Sequence, residues 1–197
     1  MLTDHIGYVF FPDAIVLRLV GRIAFPIFCY TLVEGFLHTR SVKNYLIRLG
    51  IFAILSEIPF DLAFSGKVWE FQNQNVFLTL FFGVVMLCLL EKAHSYVACF
   101  SIAVILTLIC KVLHTDYASV GLLIIFTLYM FRENRKEQLA LAALVMMLFS
   151  GKIQMFSLFA LIPIAFHNKT QGPKMKLFFY LFYPVHLLAI YFISILV

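Results

Sequence analysis

The chain has 197 residues, of which 63% are hydrophobic and only 13% charged, and its formal net charge is +5. Soluble domains contain about half apolar and a quarter charged residues, so this composition, with a mean hydropathy of +0.98, excludes an ordinary soluble fold. The positive charges fall between apolar runs, where the positive-inside rule accounts for most of them. They leave no basic and aromatic surface for nucleic acid. The sequence therefore predicts a polytopic protein whose main partner is the lipid bilayer.

Apolar runs in chain order predict an all-α integral membrane bundle with about eight transmembrane spans and a short N-terminal helix. Residues 1–11 are helical in character but shorter than the about 20 residues that a crossing needs. That segment is therefore either re-entrant or the second half of a longer helix. No long linker divides the remainder, so 1–197 is expected to form one domain. The spans are predicted at 14–37, 44–64, 75–91, 96–113, 117–131, 138–149, 153–167 and 177–197.

Every second junction between the spans is rich in Lys and Arg. Cytoplasmic loops carry such an excess, so these junctions are predicted to be cytoplasmic and the C-terminus external. The basic junctions lie near 38–48, 92, 132–136 and 169–176, and the remaining junctions hold only Lys67, Lys111 and Lys152.

The first predicted span carries two arginines, Arg18 and Arg22, whose spacing of four residues puts them on one face of a helix. A cation in hydrocarbon costs at least a few kcal/mol unless it is paired or hydrated, so carboxylates are expected against this face. Asp4 lies just upstream, and Glu57 and Asp61 share one face of the second span. We expect Glu57 and Asp61 to balance the arginines. A purely structural ion pair between helices is the alternative.

Two histidines, His5 and His186, lie in apolar segments. A neutral imidazole is tolerated in a membrane far better than a fixed charge and can accept a proton near neutral pH, which suits a general base. Tyr183 lies one turn before His186 on the same helix face, and Pro26, one turn after Arg22, predicts a kink beside a cavity. Hydrogen bonds that only pack helices together are the alternative for both histidines.

Counting along the spans puts these ionisable groups at similar depths. Arg22 lies roughly 12 Å from the outer end of its span, at about 1.5 Å per residue. His5, Glu57 and His186 lie in the middle or outer half of their segments. Because ionisable groups inside a membrane are costly and mark functional sites, their agreement in depth predicts an intramembrane active site.

Neither the cysteines nor the familiar catalytic motifs indicate a metal or nucleotide site. The sequence has no CxxC spacing, no P-loop, no GxGxxG after a strand, no HExxH and no GxSxG. We therefore expect no disulfide framework and no metal. The cysteines, which all lie inside apolar runs, are Cys29, Cys88, Cys99 and Cys110.

Five sequence blocks, in order along nearly the whole chain, resemble the TraX family: DHIG, GRIAFPIF, EGFxHT, SEIPFDL and FYPVHLL. The resemblance implies a multi-pass protein of the bacterial cytoplasmic membrane. The founding member of the family is required for N-terminal acetylation of conjugative F pilin. The family is similar to transmembrane acyltransferases, which take acyl groups from cytosolic acyl-CoA and in which an intramembrane histidine is considered catalytic. The best positional match is His5, with Arg22 close behind, although members usually carry more apolar residues before this block.

The residues and the resemblance together predict an acyl-CoA-dependent N-acyltransferase that moves an acetyl group from acetyl-CoA to an amine, such as a peptide or pilin N-terminus. His5 is expected to face the acceptor and His186 the donor, while Arg22 steadies the oxyanion. Acetyl-CoA enters as the donor substrate, and no metal is involved. The predicted catalytic residues are His5, Arg22, Asp4 and His186; the supporting charge network is Arg18, Glu57, Asp61 and Tyr183; the candidates for holding the donor are Lys174, Lys176, Arg132 and Arg135.

Two other classes of function stay open on the sequence. A small-molecule or proton-coupled transporter also places charged residues on broken helices at the midplane, but it often has inverted repeats, which this sequence lacks. A non-enzymatic membrane assembly factor would need no central cavity. Binding of acetyl-CoA would distinguish an acetyltransferase from both a transporter and an assembly factor. The sequence leaves the acceptor, the acyl chain length and homo-oligomerisation open.

Overall fold

The structure, a computed structural model, describes residues 1–149, 151, 153–168, 170, 172 and 175–196. These residues fold into helices, and the β-structure among them is limited to an isolated bridge between Gln74 and Thr115. The helices are α1 (Leu2–Val9), α2 (Ile15–Arg22), α3 (Ala24–Leu37), α4 (Val42–Ser65), α5 (Val76–Leu90), α6 (Tyr96–Val112), α7 (Ala118–Met130), α8 (Arg135–Phe149), a 3-10 helix (Gln154–Ala160) that continues into α9 (Leu161–Phe166), and α10 (Lys176–Leu196).

The all-α prediction is confirmed, and each predicted span corresponds to a helical segment whose ends agree within a few residues. Among the described residues, the segments Ile15–Leu37 and Leu177–Leu196 are long and apolar enough to cross a membrane by length and composition. α4 has 24 residues but carries Lys43, Arg48, Glu57 and Asp61. The helical architecture is therefore established, whereas eight membrane crossings stay a prediction.

The predicted kink in the first span is an interruption at Ile23, between α2 and α3. Pro26 has no backbone N–H, so it cannot bond to the carbonyl of Arg22 four residues earlier. At the break, the N–H of Ile23 bonds to the carbonyl of Val20, only three residues earlier, at 3.3 Å. The break leaves Arg22 at the end of a short helix, where its side chain can turn towards the neighbouring loops.

The core lies between α3, α5 and α7, and the outer surface of the bundle is also apolar. Core side chains such as Val84, Leu87 and Leu128 are fully buried. Large apolar side chains face outward from several helices, including Ile54 at 73% exposed and Phe100 at 64% exposed. Monomeric soluble proteins rarely expose apolar patches on this scale, so the outer surface needs an apolar surrounding or a partner.

α1 docks closely against α2 through a glycine. A Cβ atom added to Gly21 would lie 2.6 Å from the backbone nitrogen of Asp4 and 2.8 Å from its Cα. No real side chain tolerates such contacts with backbone atoms, so only glycine permits this approach. α1 also packs against α10. The glycine therefore fixes Asp4 and His5 between α2 and α10.

We expect Gly21→Ala to destabilise the protein by about 1–3 kcal/mol, because the added methyl group must push α1 away from α2. The matched control is Gly50→Ala, also within a helix, where the new Cβ would meet the ring of Phe81 at an ordinary 3.5 Å. Thermal unfolding in detergent measures both. Equal melting temperatures for the two variants would contradict the tight contact between α1 and α2.

Candidate functional site

The two candidate histidines are in direct contact. Nδ1 of His5, on α1, lies 2.9 Å from Nε2 of His186, on α10. Their rings stack with centroids 5.1 Å apart and an interplanar angle of 13°. Both residues are buried, with 8% and 6% of their surface exposed. The structure thus joins two residues that the sequence places near opposite ends of the chain.

The hydrogen bonds of this histidine pair assign the protons when both rings are neutral. Nδ1 of His186 lies 2.6 Å from the carbonyl oxygen of Phe182, which can only accept, so Nδ1 carries the proton. Nε2 of His186 is then an acceptor, and Nδ1 of His5 must be the donor in the bond between them. Nε2 of His5 is therefore left with a free lone pair, as a general base requires.

Asp4 is the ion-pair partner of both arginines. Its Oδ1 lies 3.7 Å from Nε of Arg18 and 3.5 Å from Nε of Arg22. None of these three buried atoms has a hydrogen-bond partner in the part of the chain that the structure describes. Buried polar atoms are nearly always paired, so the cluster retains hydrogen-bonding capacity for a water or a ligand. The guanidinium of Arg22 also donates to the hydroxyl of Tyr117 at 2.6 Å.

The expected charge network differs from the observed one, because Glu57 and Asp61 do not pair with the arginines. Glu57 accepts a hydrogen bond from the backbone N–H of Asn75 at 3.3 Å, and the Asn75 side-chain amide donates to the same carboxylate. Asp61 accepts from the backbone N–H of Glu70 at 2.9 Å. The carboxylates on α4 thus anchor the α4–α5 loop and the start of α5, while Asp4 supplies the counter-charge.

Sequence reasoning missed Asp116 and Tyr117, which lie in the loop between α6 and α7. This loop is tied to the α4–α5 loop, since Gln74 N–H donates to His114 O and Asp116 N–H donates to Gln74 O, each at 2.9 Å. Tyr117 adopts a left-handed backbone with φ 57° and stacks on Phe25 with centroids 3.9 Å apart. The sequence did offer one signal for this loop, since Asp116 is an acidic residue in a junction predicted on the same side of the membrane as Arg22.

A polar cavity of about 290 Å³ opens beside the histidine pair. Its wall includes His5 but not His186, and it contains the Asp4 cluster, so the lone pair of His5 can reach a molecule bound there. The polar residues that line it are Asp4, His5, Arg18, Arg22, Asp61, Ser65, Glu70, Asn73, Asp116 and Tyr117, together with the aromatic residues Tyr8, Phe60 and Phe64.

A larger apolar groove of about 490 Å³ lies on the other side of the histidine pair. α3 and α10 contribute its side walls, and α4 and α5 complete it. Tyr183 lines the groove with its ring centroid 5.5 Å from that of His186 and 6.1 Å from that of His5. The histidine pair therefore lies next to both the polar cavity and the apolar groove.

The residues predicted to hold the donor do not line this groove where the structure describes them. Arg132 donates to the carbonyl of Tyr129 at 2.8 Å, and Arg135 donates to Gln138 at 2.9 Å and to the carbonyl of Ile164. Both therefore have structural partners. Lys174 and the side chain of Lys176 lie outside the described residues. The groove is instead lined by Arg48, which the positive-inside rule had assigned to membrane topology.

Metal ligation has no geometric support among the described residues, where no group of three or more His, Cys, Asp and Glu side chains is placed to hold an ion. The chemistry available to the site is proton transfer at His5, charge stabilisation by the arginines and hydrogen bonding by Tyr183 and Tyr117.

Burial raises the pKa of Asp116 to about 7, and the positive charge of Arg22 offsets only part of this effect. Since an unfolded aspartate titrates near pH 4, the folded chain retains a proton between about pH 4 and pH 7 that the unfolded chain releases. The stability contributed by this proton is therefore lost as pH rises through about 7. We expect Asp116→Asn, which cannot ionise, to gain stability over wild type between pH 5 and pH 8. A difference in melting temperature that does not change with pH would contradict this.

The chain was compared with known proteins. Residues 1–194 match the family model described as TraX protein. A probable fimbrial assembly protein FimC, serogroup H1, from Dichelobacter nodosus is 30% identical over 95% of this chain and 88% of its own length. An uncharacterized protein from Rickettsia prowazekii is 28% identical over 42% of this chain and 30% of its own length. No solved structure matches the chain.

Proposed function

Because the chain belongs to the TraX family, we propose that it is a membrane-embedded acetyltransferase. It moves an acetyl group from acetyl-CoA to an amine, and the preferred acceptor is the N-terminus of a pilin-like peptide. The observation that carries the proposal is the buried His5–His186 pair, with the free lone pair of His5 at the wall of a polar cavity. The fimbrial assembly relative supports a role in pilus assembly.

The proposed location is the bacterial cytoplasmic membrane, with several crossings. The apolar outer surface of the bundle supports it, as do the two helical segments of membrane-spanning character. The alternation of basic loops supports a cytoplasmic position for the α3–α4 loop. The apolar groove then extends from the cytoplasmic side, where acetyl-CoA is available, and the polar cavity lies towards the outer side.

The reaction follows from the placement of the cavities. An amine in the polar cavity attacks the thioester carbonyl carbon, and Nε2 of His5 takes the amine proton as the new C–N bond forms. Arg22 stabilises the negative charge on the carbonyl oxygen, which is worth a few kcal/mol in a site of low dielectric constant. The C–S bond then breaks, and the coenzyme A thiolate receives the proton from His5. The products are an amide and free coenzyme A.

His186 and Asp4 act through their neighbours. The Nδ1–H of His186 is fixed by the Phe182 carbonyl, so His186 holds His5 in the tautomer that presents Nε2 to the cavity. Asp4 holds Arg22 in place and keeps the net charge of the cluster low. Glu57 and Asp61 are structural supports that position the loops around the polar cavity.

The test uses purified protein in detergent or nanodiscs, labelled acetyl-CoA, and synthetic peptides with free or blocked N-termini. Label should appear on the peptide with a free amine and not on the blocked peptide. A protein that binds neither substrate and transfers no label under conditions where it remains folded would overturn the proposal in favour of an assembly factor without enzymatic activity.

A further inference from the structure

We propose that the apolar groove is the binding site for the acyl donor and that Arg48 binds a phosphate group of that donor. That the bound molecule is an acyl donor rests on the proposed function, whereas the binding of a phosphate-bearing molecule in the groove does not.

Arg48 lines the groove and has an unsatisfied hydrogen-bond donor. It is half-buried on α4, and its Nε atom is buried without a hydrogen-bond partner in the described part of the chain. Its guanidinium lies 5.8 Å from the ring centroid of Tyr45 and interacts with the hydroxyl of Tyr180. No carboxylate of a described residue lies within 4.0 Å of it, in contrast to Arg18 and Arg22. A half-buried guanidinium without a counter-charge is suited to a phosphate, which it can bind through two parallel hydrogen bonds.

The opposite end of the groove carries a second group without a partner. Tyr183 is 3% exposed, and its hydroxyl has no hydrogen-bond partner among the described residues. The hydroxyl lies near the backbone amide of Val76 at the start of α5. This end of the groove can therefore bind a polarised carbonyl oxygen, directly beside the histidine pair.

The distance from the Arg48 end of the groove to the histidine pair suits one extended molecule. Tyr180 and His186 are six residues apart on α10, which corresponds to roughly 9 Å along the helix. The wall between them is apolar and aromatic, and the Tyr180 ring stacks on Phe52 and on Phe77, with centroids 4.9 and 5.9 Å away. A flexible arm or chain that joins a phosphate to a thioester or ester can lie against this wall.

The occupant we assign to the groove is a coenzyme A thioester from the cytoplasm. A membrane phospholipid also joins a phosphate to an ester, so the experiment has one arm for each of the two molecules. The first arm titrates purified protein with free coenzyme A by calorimetry. The second arm measures, by mass spectrometry, the phosphatidylglycerol that stays bound after the protein is purified from vesicles of phosphatidylglycerol and phosphatidylcholine.

Both arms compare wild type with Arg48→Gln and with the control Lys43→Gln, which removes an exposed cation from the same helix outside the groove. We expect Arg48→Gln to weaken binding of coenzyme A at least tenfold in the first arm and Lys43→Gln to change neither arm. Loss confined to the second arm would identify a phospholipid and overturn the assignment to coenzyme A. Unchanged binding in both arms would overturn the proposal.

A second variant tests the groove independently, so that the proposal stays testable if Arg48→Gln does not fold. Thr31→Trp places a large ring at an exposed position on the α3 wall of the groove and should weaken binding in the same arm as Arg48→Gln. If it does not, the groove is not the site. Wild type that binds coenzyme A through Arg48 but transfers no acetyl group would refute the proposed function and leave the groove assignment intact.

Discussion

We expect His5→Gln to lower the rate of acetyl transfer by about 10²–10⁴-fold, the range in which a general base contributes. Glutamine can keep a hydrogen bond to Nε2 of His186 through its amide, but it has no basic atom to accept the proton of the attacking amine. The loss should appear in kcat, because the donor groove is unchanged. Single-turnover transfer of labelled acetyl from acetyl-CoA to a peptide measures it.

The matched control is His94→Gln, which replaces an exposed histidine in the loop between α5 and α6. Its transfer rate and melting temperature should equal those of wild type. The His5 variant should still bind coenzyme A with wild-type affinity, which shows that the groove is intact. Transfer by His5→Gln at the wild-type rate would remove the general-base role and favour a structural role for the histidine pair.

The helices were predictable because long apolar runs alternate with short polar junctions. Pro26 also predicted the interruption near Arg22, because its missing N–H is a local property of the sequence. The similar depth of His5 and His186 was also predictable, because it follows from the constant rise of a helix. These features depend on the chain one segment at a time, so a single sequence is enough to predict them.

The pairing of charges was not predictable in the same way. Glu57 and Asp61 lie at a suitable depth for the arginines, but depth says nothing about the rotation of α4 around its own axis. Asp4 is the partner because Gly21 allows α1 to approach α2, and that contact involves backbone atoms of two helices.

Loop residues and Arg48 were missed for related reasons. Asp116 joins the site because its loop is tied to the α4–α5 loop by backbone hydrogen bonds, which leave no periodic signal in the sequence. Arg48 lies near the end of a predicted span, where the positive-inside rule already explains a basic residue. Its cavity and its lack of a carboxylate partner become visible only once α3, α4 and α10 are placed together.

We expect Asp4→Ala to destabilise the protein by about 3–5 kcal/mol, as removal of one member of a buried ion cluster usually does. The change leaves Arg18 and Arg22 without their shared counter-charge, at side chains that are only 26% and 18% exposed. The two cations then repel each other at the position where α1 docks. The measurement is thermal and denaturant unfolding in detergent at neutral pH.

The control removes a carboxylate from an exposed pair. Glu133 lies 3.5 Å from Nε of Arg132 with 89% of its side chain exposed, so Glu133→Ala should change stability by less than about 1 kcal/mol. A double variant, Asp4→Ala with Arg22→Gln, should recover part of the stability lost in Asp4→Ala, because it removes one of the two unpaired cations. If the double variant is as unstable as the sum of its single changes, Asp4 and Arg22 are not coupled, and the 3.5 Å contact between them does not hold α1 in place.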